Sequence, residues 1–323
     1  MHPDTATLRS FSQSLLTLAE VARRAPPDRL MNDALMVLRQ LLPFRSAWWG
    51  ECSDSGTPLP RKNWLHGRIN LSASFAREWN ELADDDVFAS DSMRELGTVI
   101  RASGHDDLPP DVEAFSRRHA LDHAMAITLE MPDSGMMFFV SLYRSEAEPG
   151  FDDDEAERFA QFTMHLLQHW RFRVQDLLLD ASSGASDGFA LADTRGGLLY
   201  LGARLGQVLH SRYPDWVDSP LPLEVSATLA KAPCALALGP ERLTLQPCGE
   251  LVVIALDRGG RSSMLPPRER SAAMLYAQGH SYKEIARLLQ LSPATVRTYL
   301  RSVYLHLGVR NKVELLGALG HGS

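Results

Sequence analysis

The sequence predicts an α+β multidomain protein: mixed α/β segments at 1–176 and 177–260, then an all-α tetrahelical module at 261–323. Three observations predict it. Alternating, strand-like runs interleave with 3.6-residue helical periods through the first two segments. A glycine- and serine-rich stretch, Arg258-Gly259-Gly260-Arg261-Ser262-Ser263, reads as a linker, since these residues bury little and leave the chain free. The charge then reverses. From Arg261 onward there are nine Lys/Arg against three Asp/Glu, whereas the remainder carries 24 against 37. An acidic body with a small basic terminal module points to a polyanionic partner for that module alone. At 323 residues the chain is long enough for two or three domains.

The first segment opens with two apparent helices, Leu8–Arg24 and Asp28–Leu42, broken by Pro26-Pro27. Phe44–Glu51 reads as a strand and Ser53–Asn63 as a polar loop. Leu71, Phe75, Trp79 and Leu82 recur at helical spacing. Leu121, His123, Met125, Ile127, Leu129 and Met131 alternate with smaller or polar residues, as in a half-buried strand. The Pro132-Asp133-Ser134-Gly135 turn leads into Met136–Tyr143, apolar enough to be buried on both faces. Phe151-Asp152-Asp153-Asp154-Glu155 then starts a long helix, and its carboxylates suit the positive end of the helix dipole. Continuous to Leu179, this helix would be ~40 Å long. Its apolar stripe (Phe159, Leu166, Trp170, Val174) suggests pairing with its copy in a homodimer.

In the second segment, Gly188–Asp193 and Leu198–Leu201 read as strands and Ala203–His210 as a short helix. Three further strands follow at Cys234–Leu238, Arg242–Gln246 and Glu250–Asp257.

In the terminal module, Pro266-Pro267 starts a helix running to about Ala277. Ser281-Tyr282-Lys283-Glu284 has capping-box spacing, with Ile285, Ala286 and Leu289 on one face behind it. Ser292-Pro293 is a second start signal. The helix Pro293–Leu307 puts Val296, Leu300, Val303 and Leu307 on one side and Arg297, Thr298 and Arg301 elsewhere. Lys312–Leu319 forms a closing helix. Two short helices joined by Gln290-Leu291-Ser292, the second bearing outward arginine and threonine, suit the major groove of double-stranded DNA. There arginine can bond guanine bidentately and threonine can meet thymine methyls or phosphate. Ser281, Lys283 and Arg310 are candidate backbone-positioning contacts, the helix N-terminus at Ser292 can offer N–H groups to phosphate, and Thr295 is a further DNA-binding candidate.

Residues Leu265–Leu319 resemble the LuxR-type helix-turn-helix domain. The carriers are Leu265, Pro267-Arg268-Glu269-Arg270, Ala277, Gly279, Lys283-Glu284-Ile285-Ala286, Leu289, Ser292, Thr295-Val296 and Leu307-Gly308-Val309. The resemblance implies that Pro293–Leu307 is the recognition helix, with Arg297, Thr298 and Arg301 at base-contacting positions. It also implies that the last helix forms a dimer interface on DNA. Tyr282 stands where asparagine is usual, Tyr299 where histidine is, and Pro266 where threonine is. Residues 1–176 loosely resemble a GAF domain in the Leu121–Tyr143 hairpin and the Phe151–Glu155 helix start. Residues 184–257 resemble a PAS domain in the run Gly188–Tyr200. Both imply a sensor for a small-molecule effector without naming it.

Trp48, Trp64, Trp79, Phe88 and Met125 are candidates for lining an aromatic pocket, with core packing as the plainer alternative. Trp48 and Trp49 are strand neighbours facing opposite sides, so at most one is expected in the domain interior. Trp79 followed by Asp84-Asp85-Asp86 resembles the acyl-homoserine-lactone-binding domain in part, but that domain's tryptophan–tyrosine–aspartate arrangement is not reproduced. His165 and His169 lie four apart, opposite the long helix's apolar stripe and without a third ligand, so no metal is expected. No cofactor motif, nucleophile elbow or phosphate-cradling glycine loop occurs, so the chain is not read as an enzyme. Three cysteines without paired spacing, no apolar run of membrane length and no signal-like start lead to the expectation of a cytoplasmic protein. The reading is therefore a DNA-binding regulator that responds to a small molecule. Its rivals are a partner-binding regulator that uses the terminal helices for protein contacts, and an enzyme localised by them.

Overall fold

The structure is a computed structural model. It describes residues 5–54, 59–105, 107–131, 133–179, 186–216, 220–257, 267–289, 291–307, 312 and 315. Two compact units are present: 1–181 with 185–234 and 245–255, and 182–184 with 235–244 and 256–323.

In chain order the first part contains α1 (Thr5–Arg24), α2 (Pro27–Leu41), β1 (Ser46–Ser53), β2 (Lys62–Ile69), α3 (Phe75–Leu82) and α4 (Val87–Arg94). These are followed by β3 (Val99–Ser103), α5 (Pro110–His119), β4 (His123–Met131), β5 (Met136–Arg144) and α6 (Asp153–Leu179). The five strands form one antiparallel sheet in the order β2-β1-β5-β4-β3.

Strand alternation divides this sheet's side chains between two cores. Trp49, Met125, Ile127, Phe138, Val140 and Leu142 pack with α1, α2 and α6. Trp48, Ala124, Phe139 and Tyr143 face the opposite way, with Phe75, Trp79, Met93 and Phe115 of α3, α4 and α5. Both indoles of the Trp48-Trp49 pair are therefore buried, which corrects the expectation that one would stay outside. β4 departs from the half-buried pattern for the same reason. Ala124, Ala126 and Thr128 are small because they face α4 and α5, not because they face water.

α6 begins where the acidic run predicts. The Asp152 carboxylate accepts from the Glu155 N–H at 2.8 Å, and the Glu155 carboxylate accepts from the Asp152 N–H at 3.1 Å. The stripe of α6 (Phe159, Phe162, Leu166, Trp170, Val174) is covered by its own chain's sheet, α1 and α2. The expected pairing of that stripe with a second copy is thereby corrected: the surface is already used. Leu8 and Leu16 of α1 and Met164 and Phe172 of α6 stay exposed instead.

The second part contains β6 (Phe189–Asp193), β7 (Leu198–Leu201), α7 (Ala203–Arg212), α8 (Leu223–Leu229), β8 (Cys234–Leu238), β9 (Glu241–Cys248) and β10 (Leu251–Leu256). Its sheet runs β7-β6-β10-β9-β8. In chain order this repeats the first sheet's arrangement, each opening strand lying between the second and the last. Phe189, Leu191, Tyr200 and Val253 join the same apolar cluster as α1, α2 and α6. Among the described residues the three cysteines form no disulfide.

The terminal module contains α9 (Pro267–Ala277), α10 (Tyr282–Leu288) and α11 (Pro293–Leu307). Its core is Ala272, Ala273, Ile285, Ala286, Val296, Leu300, Val303 and Leu315. The expected linker and most of the expected closing helix lie outside the described residues.

Candidate functional site

The terminal module holds the first candidate site. Ser281 is the N-cap of α10, with both halves of the capping box formed: the Ser281 hydroxyl accepts from the Glu284 N–H, and a Glu284 carboxylate oxygen accepts from the Ser281 N–H at 2.7 Å. The Ser292 hydroxyl accepts the Thr295 N–H at 3.0 Å and lies 2.8 Å from the Thr295 hydroxyl, fixing the entry to α11.

Burial then sorts α11. Val296, Leu300 and Val303 are inside, whereas Arg297, Thr298 and Arg301 are exposed. The Thr298 hydroxyl donates back to the Ala294 carbonyl at 3.2 Å, which leaves its methyl and oxygen lone pairs available outward. Lys283 is exposed on α10. Arg310 lies outside the described residues. One feature was not legible in the spacing. Tyr282 stacks on Tyr276, with ring centroids 5.5 Å apart and planes 10° from parallel, and the Arg297 guanidinium lies over the Tyr282 ring.

Residues 263–317 match the family described as "Bacterial regulatory proteins, luxR family". The segment is a LuxR-family regulatory domain. The LuxR-family segment is 48% identical over 56 residues to the transcriptional regulatory protein UhpA of Escherichia coli, which covers 17% of this chain and 29% of UhpA. It is 44% identical over 52 residues to a putative HTH-type transcriptional regulator of Mycobacterium bovis, covering 16% of this chain and 6% of that protein. The chain thus spans under a third of the length of these curated relatives. Among solved structures, Escherichia coli SdiA is similar with a TM-score of 0.37 at 15% identity, over 96% of this chain and 97% of SdiA. A GAF domain/HD domain protein from Geobacter sulfurreducens gives 0.36 at 18%, over 49% and 99%.

The second candidate site lies ahead of the LuxR-family domain, between the first sheet and α3–α5. A cavity of about 40 Å³ is lined by Trp48, Trp79, Asp86, Phe88, Ser92 and Thr128, among others. A neighbouring cavity of about 70 Å³ shares Trp79, Asp86, Phe88 and Tyr143. Trp48 sits edge-on to Phe75, Trp79 and Phe139, with centroids 4.7–5.1 Å away. The two indole N–H groups here differ. Trp79 Nε1 donates to Asp86 Oδ2 at 2.8 Å, while buried Trp48 Nε1 has no hydrogen-bond partner among the described residues. Asp86 Oδ1 meanwhile caps α4 by accepting from Ala89 N–H at 3.0 Å. The Ser92 and Thr128 hydroxyls bond each other at 2.7 Å. Burial pushes the Tyr143 phenol pKa well above the usual range, so it stays protonated.

Of the five aromatic and methionine candidates, the structure brings together Trp48, Trp79 and Phe88. Met125 is corrected: strand alternation turns it to the opposite face, against the helices α1, α2 and α6. Trp64 is also elsewhere. It is fully buried, donates to Ser53 Oγ at 2.7 Å and packs against His210 and Trp216. Sequence reasoning missed Ser92, Thr128 and Tyr143 as lining residues. Asp86 carried one faint signal, its place in the acidic run after Trp79.

Proposed function

We propose that this chain is a DNA-binding transcription regulator that reads duplex DNA with α11 and answers to a small molecule held beside Trp48, Trp79 and Phe88. The observation that carries the reading is the division of α11. A buried apolar seam leaves Arg297, Thr298 and Arg301 exposed, inside a LuxR-family segment. A helix of this kind fits the major groove and presents bidentate donors to guanine. Ser281, Lys283, Ser292, Thr295 and Arg310 act as contacts that set register on the phosphate backbone.

The N-terminal parts serve as GAF-like (1–176) and PAS-like (177–260) sensory domains in a cytoplasmic protein without catalytic activity. Two five-stranded sheets of one order, each with helices, support this reading. The chemistry of the cavity favours a largely apolar effector carrying one hydrogen-bond acceptor. Its walls are aromatic, and the Trp48 N–H is a buried donor without a partner among the described residues. The protein acts as a homodimer through the exposed apolar residues of α1 and α6, presenting two copies of α11 to half-sites about one helical turn apart.

Selection of bound duplexes from a random library, with the full-length protein at fixed salt, tests this. A two-fold-related site should be enriched, and the Arg297→Ala/Arg301→Ala double variant should lose it. No enrichment, or enrichment unchanged in a folded double variant, overturns the DNA reading in favour of protein contacts.

A further inference from the structure

We propose that a second small-molecule site, for a small organic cation, lies among α2, α6, β1, β2 and β7, with the Glu51 carboxyl as its anchor and the Trp49 and Trp170 indoles as its walls. It is independent of the effector cavity, since strand alternation puts Trp49 and Glu51 on the opposite face of the sheet from Trp48.

A cavity of about 100 Å³ is bordered there by Asp28, Trp49, Glu51, His66, Phe138 and Trp170. Glu51 is 1% exposed. Its carboxyl accepts hydrogen bonds from the Leu201 N–H at 3.4 Å and from the Trp170 side chain, while Oε1 has no hydrogen-bond partner among the described residues. A buried carboxyl oxygen left open is costly unless something donates to it.

The lining says which donor suits. Its acidic side chains are two, Asp28 and Glu51, and no lysine or arginine stands among the described lining residues. Two indoles complete the walls, and indole faces attract ammonium groups. The Trp49 wall is fixed in place. Its ring lies against Gly67 so closely that a Cβ there would stand 2.1 Å from Cζ2. A small alkylammonium group therefore meets a carboxyl that can ionise at its head and aromatic surface along its stem.

Burial raises the Glu51 pKa to about 8, so the empty site holds a protonated carboxyl at neutral pH. A bound cation favours the charged form, so binding releases the carboxyl proton and tightens as pH rises toward 8. Asp28 from α2 and His66 from β2 are the other titratable groups lining the cavity.

The test is calorimetric titration of the full-length protein with propylammonium chloride, and with 1-propanol as neutral isostere. Expected are saturable one-to-one binding of propylammonium, roughly tenfold tighter than the alcohol, and a heat that varies with buffer ionisation enthalpy as one proton is released. Glu51→Gln, with unchanged circular dichroism, should lose roughly tenfold in affinity. Equal binding of the two probes, no saturation by propylammonium, or undiminished binding in folded Glu51→Gln overturns the proposal. The comparison of the two probes needs no variant, so a misfolded Glu51→Gln leaves the test standing.

Discussion

The guanidinium of Arg297 lies over the ring of Tyr282, 5.8 Å from its centroid, and Tyr282 is itself stacked on Tyr276. A candidate base-contacting arginine of α11 is thus held by a residue of α10, and Lys312 sits over the other tyrosine, 4.7 Å from its centroid. An exposed cation–π contact contributes about 0.5–1 kcal/mol, so the ring biases the arginine's rotamer without locking it. Tyr282→Ala should weaken binding to a selected duplex about three- to fivefold. Tyr282→Phe should stay within about twofold, since it keeps the ring. Arg297→Ala should cost about 1–3 kcal/mol and relax the preference at one base position. Fluorescence anisotropy against the selected duplex and its single-base variants measures all three. A loss in Tyr282→Phe as large as in Tyr282→Ala would assign the effect to the hydroxyl and not to the ring.

Lys283 makes a contrasting case. It is exposed on α10, and in the proposed role of a phosphate contact it would carry no sequence information. Lys283→Ala should weaken binding about equally on every duplex. It should also lower the slope of log K against log salt by about one. A change confined to one base variant would mean that Lys283 reads sequence.

How far these sites were legible in the sequence depends on what kind of information places each residue. The capping box at Ser281–Glu284 was legible because a cap is a local contract between residues three apart, and the acidic run at 152–155 was legible as a helix start though not as the reciprocal cap it forms. The strand Lys62–Ile69 was not. Its polar start is buried by distant partners: Asn63 N–H donates to Asn80 Oδ1 at 2.9 Å, and Lys62 Nζ donates to the Trp216 carbonyl while lying over two indole rings. Alternation in β4 was visible, but not which face holds the cavity, so Met125 was named where its neighbours Ala124 and Ala126 belong. The α6 stripe was equally visible, yet periodicity gives the apolar side of a helix and not what covers it.

Arg144 ties the end of β5 to the start of α6. Its guanidinium donates to Glu155 at 2.7 Å, to the Pro43 carbonyl at 2.8 Å and to the Pro149 and Gly150 carbonyls, and it lies 4.0 Å from the centroid of the Phe151 ring. The Arg144 side chain is 5% exposed and that of Glu155 14%, so removing one partner strands a buried charge. Arg144→Ala should destabilise the N-terminal unit by about 3–5 kcal/mol in urea unfolding. Arg144→Lys should recover only part, since a lysine cannot spread its donors over four acceptor groups. A loss below about 1 kcal/mol would place this pair with exposed surface bridges.

The buried carboxyl of Glu51 makes a prediction about stability that holds without any ligand. Its pKa in the folded chain is raised to about 8, mainly by desolvation, against about 4.3 in an unfolded chain. The folded state therefore binds a proton more tightly than the unfolded one. The stability this contributes is complete below about pH 4 and is lost as pH rises to about 8, by up to about 1.4 kcal/mol per pH unit. Glu51→Gln has no proton to lose, so its stability should be flatter over this window. Thermal unfolding of the two proteins at pH 5, 7 and 8.5 should show the melting temperature of wild type falling relative to Glu51→Gln at each step. Parallel curves would mean that Glu51 titrates in its ordinary range, with water reaching the carboxyl. The calorimetric proton release expected on cation binding would then vanish with it.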